Sequence, residues 1–90
     1  MRRPAYSGQF KRDVRQAQKR GKDMDKLKVL LALLIEGEPL PAHYLDHPLK
    51  GVWRSFRDAH IEPDWLLVYK VVRQTLILKL IRTGSHSDLF

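Results

Sequence analysis

Two apolar runs in the last third of the chain constrain the architecture more than any other feature. Trp65 to Val72 is almost continuously apolar and rich in β-branched residues, and Leu76 to Ile81 is apolar apart from Lys79. Runs of this length suit strands rather than helices, and a strand apolar on both faces belongs in the middle of a covered sheet. Val72-Arg73-Gln74-Thr75 is the expected hairpin turn between them. Glu62-Pro63-Asp64 is a second turn, because proline fixes φ and cannot donate to a ladder. Val52 to Ile61 reads as the strand before that turn, and residues 37–50, rich in proline and turn formers, read as a loop. A short stretch near Pro4–Tyr6 could add an edge strand.

The first third is helical in pattern. Ser7 can cap a helix whose Phe10, Val14 and Ala17 recur at helical spacing, and Gly21 stands where a left-handed residue ends it. Asp23 can cap a second helix carrying Leu27, Leu30, Leu31 and Leu34 as one stripe, which Gly37, Pro39 and Pro41 terminate. The expected fold is α+β over residues 1–90 as one domain: two N-terminal helices packed on one face of an antiparallel sheet of three to four or more strands.

Composition narrows the class. Ninety residues with 43% hydrophobic content make a small globular domain with a single modest core. Cysteine is absent, so neither disulfides nor thiolate metal sites are available. The longest apolar run, Val29 to Ile35, is far short of the roughly 20 residues of a membrane span, and the basic start has no apolar stretch behind it. A soluble, cytoplasmic protein is expected.

The net charge of +7 lies entirely in residues 1–28, which hold ten Lys/Arg against Asp13, Asp23 and Asp25; the remainder is neutral. Lys11, Arg15 and Lys19 fall four apart, with Arg12 and Arg20 on the adjacent row. The first helix therefore has a cationic face and an apolar edge. Charge concentrated in this way favours a polyanion, because neutralising phosphates releases counterions.

Four histidines occupy positions 43, 47, 60 and 86, in the neutral part of the chain. Cleaving RNA without a metal needs a base for the 2′-hydroxyl, an acid for the leaving 5′-oxygen and a cation for the charged phosphorane. Histidine serves both proton transfers near neutrality, and a guanidinium can hold the phosphate. Arg82 is the candidate for charge stabilisation, Asp64 for orienting a histidine, and Trp65 and Phe90 for stacking on a base where exposed. His43 and His47 would pair around a metal only on a helix, which Pro41 and Pro48 disfavour, so no metal or cofactor is expected. Taken alone, these residues reach a small basic α+β domain directed at RNA.

Several segments resemble one family. Tyr6-Ser7-Gly8-Gln9-Phe10-Lys11-Arg12-Asp13-Val14 and Ala17-Gln18-Lys19-Arg20-Gly21-Lys22-Asp23-Met24 are similar to the opening of YafQ-type mRNA interferase toxins of the RelE/ParE superfamily. So are Asp46-His47-Pro48-Leu49, the stretch from Arg57 to Lys70, and Arg82-Thr83-Gly84-Ser85-His86 with Leu89-Phe90. The resemblance implies a RelE-like fold and a ribosome-dependent endoribonuclease from a bacterial type II toxin–antitoxin pair. It implies His47, His60 and His86 as catalytic histidines with Asp64 as the acidic residue, and Trp65, Arg82 and Phe90 as substrate contacts. His86 would be the general acid, with His60 and His47 sharing base and phosphate-stabilising work. A cationic first helix (Lys11, Arg12, Arg15, Lys19) would hold ribosomal RNA, and a DinJ/RelB-like antitoxin would be the protein partner. His43 matches no functional position. The rivals are a ParE-like gyrase inhibitor, which lacks the histidine set, and a non-enzymatic nucleic-acid-binding module using only the basic helix.

Overall fold

Ser7 and Asp23 start the two helices as their side chains require. In the computed structural model, which describes residues 1–90, the Ser7 hydroxyl accepts from the Phe10 N–H and the Asp23 carboxylate from the Asp25 N–H. The helices are α1 (Gly8–Lys19) and α2 (Met24–Glu36). Gly21 and Gly37 follow them at φ of 77° and 78°, a region costly for any residue with a Cβ.

The strands are β1 (Arg3–Tyr6), β2 (His47–Pro48), β3 (Arg57–Glu62), β4 (Trp65–Val72) and β5 (Ile77–Gly84), followed by a short helix α3 (His86–Leu89). They form one sheet in the order β1-β5-β4-β3-β2. The β2–β3, β3–β4 and β4–β5 pairs are antiparallel, whereas β1 runs parallel to β5. The sheet is therefore mixed, with the expected edge strand present but reversed in sense, because β1 leads into α1 and the chain returns across the helices.

Three sequence expectations shift. Val52 to Ile61 is not one strand: Gly51–Trp53 is a 3-10 turn and β3 begins at Arg57. Gly51, at φ 65°, turns the chain sharply there, and the aromatic pattern of 53–56 reflects packing onto the sheet rather than pairing within it. The β4–β5 connection lies at 73–76, one residue later than expected, with Leu76 in the left-handed region at φ 55°. The last strand runs on to Gly84 rather than stopping at Ile81, so Arg82 and Thr83 are strand residues. The loop at 37–50 also contains a 3-10 turn, Ala42–Tyr44, and the two residues of β2.

The unbroken apolar character of β4 has two causes, one on each face. Trp65, Leu67 and Tyr69 point to the helices, joining Phe10, Ala17, Leu27, Leu30, Leu34, Leu78 and Leu80 in the main core. Leu66 and Val68 point the other way, to a second cluster with Leu49, Trp53, Phe56, Ile81 and Leu89. The helices cover only the first face. The second is covered by the 49–56 segment and by α3, which leaves its far end open to carry a site. No helix of the protein is long and apolar enough to cross a membrane.

Candidate active site

Strand alternation and register assemble the histidines. Asp58 and His60 are two apart on β3 and so share a face, the one away from α1 and α2. His47 on β2 is the cross-strand partner of Asp58, which places the two side chains together. Leu66 of β4 pairs with Gly84 at the end of β5, and Ser85 then caps α3 so that His86 comes back over the same face. A Cβ on Gly84 would stand 3.0 Å from the Asp88 side chain, so a larger residue at this tight entry into α3 would have to push Asp88 aside. The result is a row of imidazoles: His47 and His60 have ring centroids 6.2 Å apart, and His60 and His86 are 5.8 Å apart.

Each end of the row is held. The Asp64 carboxylate accepts from the His86 N–H at 2.9 Å and lies 2.7 Å from His86 Nδ1. These bonds, the backbone one foremost, keep the Asp64 carboxyl below the usual carboxylate range. With Nδ1 turned to Asp64, Nε2 of His86 is left for substrate. His47 Nδ1 is 2.7 Å from the Leu45 carbonyl, and Leu45 itself sits in the left-handed region at φ 49°. The neighbouring Asp46 accepts from both Arg57 and the Tyr69 hydroxyl, which ties β2 to the sheet.

Asp58 lies beneath the row and was not foreseen. Its side chain is 5% exposed, and burial pushes its carboxyl up while the positive charges of His47, His60 and His86 act against that. One oxygen, Oδ1, is 3.1 Å from His47 Nδ1 yet has no hydrogen bond of acceptable angle, since that ring nitrogen is directed at Leu45. A ring nitrogen of each of His47 and His60 and an Asp58 oxygen lie within 4.8 Å of one another, a two-histidine, one-carboxylate set open to a late first-row cation. His43 belongs to neither arrangement; its ring packs on Tyr44. The signal for Asp58 in the sequence is its two-residue spacing from His60 on a strand.

The remaining candidates separate. Phe90 is exposed one turn after His86, with its N–H bonded to the His86 carbonyl. Trp65 is only 1% exposed, with its indole N–H donating to Thr83 Oγ1 at 3.0 Å. It is a core residue with the Lys22 ammonium 5.8 Å from its ring centre, so the expectation that it stacks on a base is corrected: the ring has almost no surface exposed to receive one. Arg82 turns to α1, where Nε and Nη2 both donate to Asp13 at 3.1 Å while Nη1 has no bond within the protein. Burial pushes the Asp13 carboxyl up, but the bonds from Arg82, Gln9 and the Thr83 N–H prevail and hold it low. Arg82 thus lines a polar cleft with Arg20, Lys22, Asp64 and Ser85, beside the row rather than within it. Lys11, Arg12, Arg15 and Lys19 are all exposed on α1.

Known proteins similar to this chain span almost its whole length. The family described as "Bacterial toxin of type II toxin-antitoxin system, YafQ" matches residues 2–90. The mRNA interferase toxin YafQ of Escherichia coli K12 is 57% identical over 86 residues, covering 94% of this chain and 91% of that protein. Among solved structures, YafQ from E. coli BL21(DE3) superposes with a TM-score of 0.93 at 54% identity, covering 100% of this chain and 99% of the other. The toxin in the E. coli DinJ–YafQ complex superposes at 0.91 with 55% identity and the same coverage. The chain belongs to the YafQ family of toxins from bacterial type II toxin–antitoxin systems.

Proposed function

We propose that this chain is a cytoplasmic endoribonuclease that cleaves translated mRNA on the ribosome by histidine acid–base catalysis. The observation that carries the reading is the His47–His60–His86 row with His86 clasped by Asp64. Such an array can take a proton from a 2′-hydroxyl and give one to a departing 5′-oxygen, each transfer being worth about 10²–10⁴ in rate. The name mRNA interferase borne by a relative 57% identical supports the same reaction.

His86 is the general acid. It is exposed, its Nδ1 is engaged by Asp64, and Nε2 is the atom that would meet the leaving oxygen. His60 and His47 share the base and the stabilisation of phosphorane charge. Asp58 is buried under both, with its Oδ1 3.1 Å from His47 Nδ1. Arg82 contributes its free Nη1 to a phosphate entering the adjoining cleft, and Phe90 stacks on a base. Lys11, Arg12, Arg15 and Lys19 form a cationic face that suits ribosomal RNA. The partner in the resting state is a DinJ/RelB-like antitoxin, as the E. coli relative has DinJ in its complex.

The test is to induce the wild-type chain and a His86→Ala variant separately and map mRNA 5′ ends by primer extension. The expected result is translation-dependent cuts inside reading frames with the wild type and none with the variant. Growth arrest without new 5′ ends would instead favour a gyrase-directed, ParE-like toxin. Toxicity retained by the variant would favour a non-enzymatic binding module.

A further inference from the structure

The imidazole row does not end at His86. Phe90 follows one turn later on α3, and its ring meets Trp53 edge-on, with centroids 5.9 Å apart and planes at 85°. Trp53 in turn meets Phe56 at 5.6 Å and 71°, and the Lys70 ammonium lies 5.6 Å from the centre of the Phe56 ring. All these rings lie on the sheet face opposite the two helices. Phe90 is 56% exposed, and Trp53 is half-buried in the 3-10 turn whose tip, Val52, is 94% exposed. Lys50 and Arg54 flank Trp53 in the chain; both are exposed and neither has an acidic partner within 4 Å.

We infer that Trp53 and Phe90 are the two walls of a nucleobase subsite for the RNA segment next to the scissile phosphate. Two rings at right angles leave one face and one edge for a base, and the neighbouring cations suit its phosphates. The occupant is single-stranded RNA, because only unstacked bases expose both faces to aromatic side chains. The subsite is continuous with the catalytic histidines through α3, so a base held there sets which phosphate reaches His86 and His60. The inference rests on the nuclease reading for its substrate, but its test does not depend on cleavage.

The protein has two tryptophans, and Trp65 is sealed in the core. A fluorescence change on binding that Trp53→Phe removes therefore reports Trp53. The probe is a short single-stranded oligoribonucleotide carrying 2′-O-methyl groups throughout, which cannot be cleaved, titrated into the full chain at low salt. Saturable quenching is expected. Trp53→Phe should abolish the quenching while the affinity, followed by anisotropy of a labelled oligonucleotide, stays within about threefold. Trp53→Ala should weaken binding about tenfold or more, with its folded state checked by circular dichroism. Quenching undiminished in Trp53→Phe, absence of binding by the wild type, or wild-type affinity in Trp53→Ala would each overturn the subsite. Wild-type protein that shows the quenching but cuts no mRNA would leave the subsite standing and remove the nuclease reading instead.

Discussion

Asp64 and His86, 22 residues apart in the chain, meet twice through one carboxylate oxygen: at the His86 backbone N–H, 2.9 Å away, and at Nδ1, 2.7 Å away. The turn after β3 thereby fixes both the start of α3 and the orientation of its imidazole. Asp64→Asn keeps the shape but loses the charge that holds Nδ1–H. Cleavage in a translating extract should fall about tenfold or more, against about 10²–10⁴ for His86→Ala, while ribosome binding changes little. Because Asp64 is held low, its charged interaction persists above the usual carboxylate range and fades as the pH falls through the lowered value. The Asn variant should therefore lack any activity step in that acidic window.

Asp58 makes the opposite contribution. Its carboxyl is pushed up by burial, so folding favours its protonated form; that contribution is present below the ordinary carboxylate pKa and lost as the pH rises through the raised value. At neutral pH the buried charge with its unbonded oxygen is a strain on the fold. Asp58→Asn should raise stability by about 1 kcal/mol, or about 4–8 °C in Tm for a chain of this size, and lower the cleavage rate. Melting curves at pH 5 and pH 8 check the sign: the gain should be larger at pH 8.

The Asp13–Arg82 pair joins α1 to β5, and Asp13 also accepts the Thr83 N–H. Asp13→Asn should destabilise by about 2–4 kcal/mol, since it leaves a half-buried guanidinium without its counter-charge. Asp13 titrates low, so its stabilisation is present above the usual carboxylate range and fades as the pH falls through the lowered value. Urea denaturation should show the gap between wild type and variant narrowing from pH 7 to pH 3.

Replacing Lys11, Arg15 and Lys19 together by Gln removes three exposed cations from α1 without touching its buried edge. Ribosome pelleting across a salt series should show weaker binding and a shallower dependence, by up to about 0.7–0.9 in slope for every phosphate no longer neutralised. Stability should stay within about 0.5 kcal/mol. An unchanged salt slope would remove α1 from the RNA-facing surface.

Helix starts, helix stripes and the two central strands were legible in the sequence, because each rests on interactions a few residues away. Ser7, Asp23 and Gly37 cap where their local chemistry directs, and Leu27, Leu30 and Leu34 are buried as their spacing requires. The aromatic residues were not legible in the same way. Trp65 has the residue type of a base-stacking ring, and Trp53 falls within a stretch that reads as a strand. Their fates depend on which side of the sheet each faces, and the 3-10 turn at Gly51–Trp53 decides the second. Arg82 carries the same lesson: nothing near it in the chain shows that Asp13, 69 residues away, holds its guanidinium.

By itself the sequence determined the α+β class and the cationic first helix, since charge and periodicity are local properties, while the choice of three histidines among four rested on the family resemblance. The tertiary structure decided that β1 runs parallel, that Asp58 lies beneath the histidines, and that Trp65 is core while Trp53 lines the face beside Phe90. Those outcomes follow from register and from which sheet face a side chain meets, and a shift of one residue along a strand reverses the face.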